Sequence, residues 1–305
     1  MTEPRRLVLI VNPHAGKGRG ARAGAEAERT LRGAGVMLTV HRGSTVEDGR
    51  RFVREISRER PDGFVVVGGD GTLSALIDVL AETDIPVTLV PAGTGNDLAR
   101  ALGIPVSDPA AAACAALDGA IRRIDLGEVS SGGQSRLFLT ITALGFDAKV
   151  SERTNLLRYP RGRLRYYLAL IIELVRLRPT DYRIAIDGEQ SRLRPGTLLA
   201  VGNTASYGGG MPICAGAAPD DGLLDVVHVA PLSRSRLLRL FPLLLRGTHL
   251  TRPEATRERA RHVHLTGPGF VAYADGERVG AEECSISIRP SAVALMVPKE
   301  QTDGV

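Results

Sequence analysis

Lysine is almost missing from this chain: its 305 residues hold only Lys17, Lys149 and Lys299, so the formal net charge of +5 is carried by arginine. Alanine, glycine and arginine are abundant together, and such a compositional bias explains the arginines as well as an anionic partner does. Arginine positions, not arginine numbers, therefore carry the information. Aromatic residues make up 4% and no recognition motif for nucleic acid is present, so a nucleic-acid partner is not expected. Three cysteines, Cys114, Cys214 and Cys284, stand far apart without C-x-x-C spacing. That excludes a disulfide framework and fits a reduced, cytoplasmic protein. Among six histidines only His262 and His264 are close, at strand-like spacing, with no cysteine or carboxylate placed to complete a zinc site. Long hydrophobic runs are lacking too. YYLALII (166–172) falls well below the ~18 residues of a membrane span, and the apolar run before Asn12 and Pro13 is too short for a signal-peptide core.

A hydrophobic content of 43% over 305 residues is enough for a sizeable core, more naturally as two domains than one. Residues 1–126 alternate strand and helix signals. LVLIV (7–11), VMLTVHR (36–42), FVVV (64–67) and VTLVP (87–91) read as strands, and 23–35, 46–60, the stretch from Leu73 and 108–118 read as helices. Such alternation predicts a parallel sheet with helices on both faces. Residues 127–290 change texture. LFLTITALG (137–145), YRIAIDG (182–188), TLLAVGNT (197–204), LLDVVHVA (223–230), HVHLTG (262–267), FVAYADG (270–276) and CSISI (284–288) alternate between turn residues. They predict a mostly antiparallel β domain, a sandwich or flattened barrel, with helical insertions at 161–177 and 233–246.

Ligands of open parallel sheets bind outside the carboxyl ends of the strands. Three glycine loops stand at such ends: NPHAGKGRG (12–20), GGDGT (68–72) and PAGTGNDLA (91–99). In VVVGGDGTLSALIDVL the residues Leu73, Leu76, Ile77 and Leu80 fall on one helical face, so the segment reads strand, loop, helix. Gly68, Gly69 and Gly71 permit close backbone approach, and the unpartnered amides of the first helical turn make an anion site. Asp70 at its centre would repel a phosphate unless a divalent cation bridges the two. A tight turn with a solvated aspartate is the alternative that this loop leaves open by itself. The first loop is not a Walker A sequence, because Gly16-Lys17 is followed by Gly18. Lys17 is a candidate phosphate contact, with a solvated lysine as the alternative.

Together the motifs NPHAG (12–16), GGDGT (68–72), PAGTGNDLARALGIP (91–105), APDDGLLDV (218–226) and YADGE (273–277) resemble the soluble bacterial diacylglycerol kinases and YegS-like lipid kinases, relatives of sphingosine and ceramide kinases. GGDGT alone is shared with NAD kinases; the GTGND loop followed by DGLLD and DGE is more specific. The resemblance implies a two-domain NAD-kinase/diacylglycerol-kinase-like architecture with an active-site cleft between an ATP-binding α/β domain and a β-sandwich. It implies that residues 291–305, through AVALMVP (292–298), return to the first domain. It implies nucleotide contacts from Asn12, Pro13, Gly16, Lys17, Gly68, Gly69, Gly71, Thr72, Thr94, Gly95, Asn96 and Asp97. Asp221, with carbonyls of Ala218 and Leu223, matches a structural Mg²⁺ site. Asp275 matches the family's base, with Glu277 and Asp70 in a carboxylate and magnesium network facing MgATP. The activity implied is transfer of the ATP γ-phosphate to a lipid hydroxyl, first of all that of diacylglycerol. Kinases for phosphatidylglycerol or a sphingoid base, or a non-catalytic regulator on the same fold, are the alternatives.

An enzyme of that kind has to touch a membrane surface, in passing, from the cytoplasmic side. Two segments suit it. In SRSRLLRLFPLLLRG (233–247), Leu237, Leu240, Phe241, Leu244 and Leu245 share one face while Arg236, Arg239 and Arg246 share another, as in an interfacial helix. In 158–178 arginines bracket an apolar stretch. A core helix with a solvated basic face explains either segment equally well. A homodimer is left open.

Overall fold

The computed structural model describes residues 4–43, 45–145, 150, 152–154, 156–157, 159, 168–169, 172–173, 176 and 178–299. The chain divides into two units: one runs up to Asp125 and takes back the segment from Ser291, and the other is Leu126–Pro290.

In the first unit β1 (Arg6–Val11), α1 (Ala15–Gly33), β2 (Met37–His41), α2 (Val46–Ile56), β3 (Gly63–Gly68), α3 (Asp70–Ala81), β4 (Val87–Pro91), α4 (Asp97–Ala101) and α5 (Pro109–Asp118) follow one another. The strands are parallel and ordered β4-β3-β1-β2, and the returning chain pairs beside β4 through Leu295 and Met296. β3 is buried along its whole length, as its valine run requires of a central strand. Helices α1 and α5 pack together, as do α2 and α3. Right-handed crossovers in this strand order put the two pairs on opposite faces. Local chemistry sets the helix starts: Thr45 accepts from the Asp48 amide at 3.2 Å to cap α2, and Asp108 accepts from the Ala111 amide at 2.9 Å to cap α5.

The second unit is antiparallel, in the order β12-β11-β10-β7-β13-β14, with β8 on β13, β9 on β8 and a β5-β6 hairpin. Its strands are β5 (Ala120–Ser131), β6 (Gln134–Phe138), β7 (Ile141–Gly145), β8 (Thr180–Ile186), β9 (Arg192–Gly196), β10 (Leu198–Gly202), β11 (Leu224–Val229), β12 (Ala255–Ala260), β13 (His262–Ala274) and β14 (Glu277–Val297), and one helix, α6 (Arg234–Leu245), lies between β11 and β12. β5 and β14 contribute residues to both units. Alternate inward residues make a core around Phe138, Tyr182, Leu199, Val263, Leu265 and Phe270, with the Tyr182 and Phe270 rings 5.9 Å apart. Burial raises the Tyr182 phenol above its ordinary pKa.

Several elements differ from the sequence reading for identifiable reasons. The run 137–145 is two strands, broken at Leu139 and Thr140, whose amides turn to bind the Asp275 carboxylate. The runs 262–267 and 270–276 join in one strand, His262–Ala274, with register shifts between Thr266 and Val271 and between Ala272 and Tyr273. β9 and β12 escape an apolar-alternation search because RLRPG and ATRERA are mostly polar. Of the helical insertion at 161–177, and of the basic-flanked stretch 158–178, most residues lie outside those described. Among the described residues no helix is long and apolar enough to cross a membrane.

Candidate active site

The carboxyl ends of β1, β3 and β4 are tied to one another by their loops. Asn12 follows β1; its amide donates to Val67 O at 3.0 Å and its Nδ2 to Thr72 Oγ1 at 2.9 Å, so the first loop is pinned to the start of α3. Its Oδ1 accepts from the His14 amide at 3.1 Å. Three consecutive residues, Gly16, Lys17 and Gly18, then take left-handed φ values of 57°, 64° and 93° before regular helix resumes. Two of the three are glycine, the residue for which that region costs least. Arg19 donates to Gly16 O at 3.2 Å and also to Gly93 O, which joins the first loop to the third. In the third loop Gly93 and Asn96 close a small ring: the Gly93 amide donates to Asn96 Oδ1 at 2.9 Å, and Asn96 Nδ2 returns a bond to Gly93 O at 3.2 Å.

These loops line a cavity of about 420 Å³, within the range of small-molecule sites. Asn12, Gly16, Gly69, Asp70, Gly71, Thr72, Thr94 and Gly95 face it. Its floor depends on glycine. A Cβ at Gly69 would lie 2.7 Å from the Gly93 Cα, and one at Gly93 would lie 2.5 Å from the Gly69 Cα, so the two backbones touch only because neither has a side chain. Asp70, in the first turn of α3, accepts from the Leu98 amide at 3.1 Å. One oxygen of its carboxylate is thus fixed by a backbone amide at the edge of the cavity. One carboxylate with phosphate oxygens and water is the usual donor set for a magnesium ion travelling with a triphosphate, so these residues fit MgATP.

Other sequence candidates stand behind or beside the cavity. Pro13, Lys17, Gly68, Asn96 and Asp97 are not among its lining residues, and Lys17 is exposed. Gly68 makes room for the Thr72 side chain, Asn96 shapes the third loop, and buried Asp97 pairs with Arg100 at 3.0 Å. A further wall consists of His41, Gly43, Thr45, Val46, Gly49, Ala75 and Leu76. The sequence reading did not include the turn after β2, although it too is the carboxyl end of a parallel strand. It lacks a glycine-rich signature, and the capping Thr45 was its only signal.

In the second unit Asp275 begins the β13-β14 turn with φ 48°. Three donors hold its carboxylate: the Leu139 amide at 2.8 Å, the Thr140 amide at 2.9 Å and Thr140 Oγ1 at 2.6 Å. A carboxylate has about four lone-pair sites, which leaves it able to accept one more proton donor. Buried Asn203 braces this segment from β10, with Nδ2 donating to Leu139 O at 3.0 Å and its amide donating to Thr140 O at 2.8 Å. Thr140 and Asn203 were not among the sequence candidates; a polar residue ending the apolar run LLAVG was the available sign. Glu277 is exposed and pairs with Arg136 at 2.6 Å.

At the PDDGLLD turn the carboxylate expected to hold magnesium is engaged by protein donors. Asp221 Oδ1 accepts from the Leu223 amide at 3.0 Å, and Oδ2 pairs with the Arg259 guanidinium from β12. Nearby Arg257 binds buried Asp225 and donates to Gly216 O at 3.0 Å. Among the described residues no group of three or more His, Cys, Asp and Glu side chains is placed to hold a metal ion. Arginine thus supplies positive charge at the turn where the resemblance implies a divalent ion held by Asp221 with the carbonyls of Ala218 and Leu223.

A parallel α/β unit with glycine loops on one sheet edge, followed by an antiparallel unit presenting a fixed carboxylate, defines a phosphotransferase of the NAD-kinase-like architecture. Comparison with known families agrees: the diacylglycerol kinase catalytic domain matches residues 6–129, and the YegS C-terminal NAD kinase beta sandwich-like domain matches 140–297. A protein of Mycobacterium tuberculosis named diacylglycerol kinase is 40% identical over 295 residues, covering 96% of each chain. A probable lipid kinase YegS-like of Pseudomonas fluorescens is 32% identical, covering 97% of this chain and 96% of its own. The crystal structure of a putative diacylglycerol kinase from Bacillus anthracis superposes with a TM-score of 0.76 at 24% identity, over 98% of this chain and 99% of that one. The chain belongs to the diacylglycerol kinase and YegS-like lipid kinase family, and it is a lipid kinase.

Proposed function

We infer that this enzyme transfers the γ-phosphate of ATP to the hydroxyl of diacylglycerol, giving phosphatidic acid for phospholipid biosynthesis. The observation that carries the reading is the glycine-floored cavity closed by three cross-bonded loops, with Asp70 on its edge. Phosphoryl transfer depends on positioning and charge neutralisation more than on covalent chemistry. The loop amides and the first turn of α3 orient the phosphates. A magnesium ion carried in with ATP and held at Asp70 would neutralise phosphate charge. Asp275, held by Leu139 and Thr140, accepts the proton of the lipid hydroxyl, while Glu277 orders Arg136 of β6. Diacylglycerol as acceptor is supported by the name of the 40% identical relative. ATP as donor and a bilayer lipid as acceptor fit an enzyme of the cytoplasm that visits the inner face of the membrane.

The test is incubation with γ-labelled ATP and a panel of diacylglycerol, phosphatidylglycerol and sphingoid base in mixed micelles. Label is expected in phosphatidic acid. Preferential labelling of another lipid in the panel would overturn the acceptor and leave the lipid kinase in place.

A further inference from the structure

We propose that α6 is the element by which this enzyme settles on an anionic bilayer, a reading that rests on its acting on a membrane lipid. The helix is RSRLLRLFPLLL, capped by Ser233, and none of its twelve residues is buried. Leu238 and Leu245 are 58% and 51% exposed. Seven residues apart, they project on one side. Arg234 stands one turn before Leu238 on that side, while Arg239 and Arg246 are also exposed and flank it.

The helix is held to its own unit by a different face. Leu244 packs on the cluster of Ile141, Leu198, Ala200, Ile213, Cys214 and Val227, and Arg236 is bound to Glu254. Of the face expected from periodicity, Leu237, Leu240, Phe241 and Leu244 are half-covered by the protein, while Leu245 stands exposed. The stripe left to solvent is Leu238 and Leu245 among three arginines. No acidic residue lies in the helix.

Charge decides the occupant. A second copy docked helix to helix would bring Arg234, Arg239 and Arg246 against the same residues of its partner. Anionic headgroups neutralise them and admit the leucines to the acyl boundary. An arginine near such a surface strengthens partition on the order of fivefold, so three act together on the order of a hundredfold.

The experiment sediments the purified full chain with vesicles of phosphatidylcholine alone or mixed with phosphatidylglycerol, alongside phosphorylation of a short-chain, micelle-dispersed diacylglycerol. The variants are Leu238→Ser with Leu245→Ser, and Arg234→Gln with Arg239→Gln and Arg246→Gln. Wild type is expected to bind the mixed vesicles, less so at high salt. The leucine pair should lose most binding and the arginine triple on the order of a hundredfold, both keeping the short-chain rate that reports an intact fold. Vesicle binding by either variant equal to wild type overturns the proposal. So does a wild type that ignores anionic lipid, or a dimer that the leucine pair dissociates while vesicle binding persists. Absence of lipid phosphorylation by wild type, with binding still lost in the variants, would refute the proposed acceptor and leave the docking helix standing.

Discussion

Asp275 is held by three donors, and the proposed reaction gives the same carboxylate a chemical task. A lipid hydroxyl is a poor nucleophile at neutral pH, and a positioned acceptor for its proton contributes on the order of 10²–10⁴-fold. Asp275→Asn removes that acceptor at nearly constant shape. Its new NH₂ group must also face the Leu139 amide or the donors of Thr140, and a lost buried partner of this kind costs about 1–3 kcal/mol. The expected result is a kcat lower by about two to four orders of magnitude, an unchanged KM for ATP and a lower melting temperature. Initial rates and thermal melts check it, and a near-wild-type kcat would remove Asp275 as the base. Gly93→Ala tests the other half of the chemistry. Its Cβ, 2.5 Å from the Gly69 Cα and 2.7 Å from Asn96 Oδ1, must push the second and third loops apart. Overpacking of this size costs about 1–3 kcal/mol. The KM for ATP should rise while folding of the second unit is unaffected, and an unchanged ATP saturation curve would count against the cavity as the nucleotide site. At the thiols, burial pushes Cys284 up to about 12, so it is an inert core residue and not a redox site.

Among the elements, those with a strong period were legible and those set by contacts were not. The central strands FVVV and VTLVP and helix α3 follow directly from apolar runs and i, i+3, i+4 spacing. All three glycine loops were recognised by composition, yet the left-handed turn at Gly16, Lys17 and Gly18 is visible only in the backbone. The wall after β2 was missed because proximity in space, not residue type, puts Thr45 and Val46 in the cavity. For α6 the amphipathic period was readable, but which side meets the protein depends on where Leu244 and Arg236 find partners. Contacts also set the acid response of the second unit. His228, in β11, meets Pro195 O at 3.1 Å, and His249, in the turn after α6, meets Ile213 O at 2.9 Å; burial lowers the pKa of both below 6.5. In the unfolded chain they protonate first as pH falls through 6.5, so their contribution is full above that value and is lost toward the lower folded pKa. Each contributes at most about 1.4 kcal/mol per pH unit in this window. Urea unfolding at pH 7.5 and 5 should show the loss, and His228→Asn with His249→Asn should flatten it. A wild-type stability independent of pH over that range would refute the assignment.

The two units do not simply follow one another along the chain, since the first is completed by the end of β14. β4 would be an edge strand if the chain ended at Pro290; instead Leu295 pairs with Val87 and Met296 with Thr88 in parallel register. Val293 and Leu295 are 2% and 0% exposed, and Val297 is also buried. The Ser291 amide is anchored on buried Asp125 at 2.7 Å. Burying three such apolar side chains contributes on the order of 5–8 kcal/mol, comparable to the ~5–15 kcal/mol net stability of a domain. A chain shortened after Pro290 should therefore lose the first unit's fold and, with it, ATP binding, although no residue lining the candidate cavity has been removed. The second unit keeps its own core around Phe138, Tyr182 and Phe270 and should hold. Amide hydrogen exchange separates the two outcomes: protection is expected to collapse in β3 and β4 and to persist in β10 and β11. If the shortened chain kept protected amides in Val87–Pro91 and still bound ATP, the closing strand would be an ornament of the fold, and the parallel unit would be stable on its first 125 residues alone.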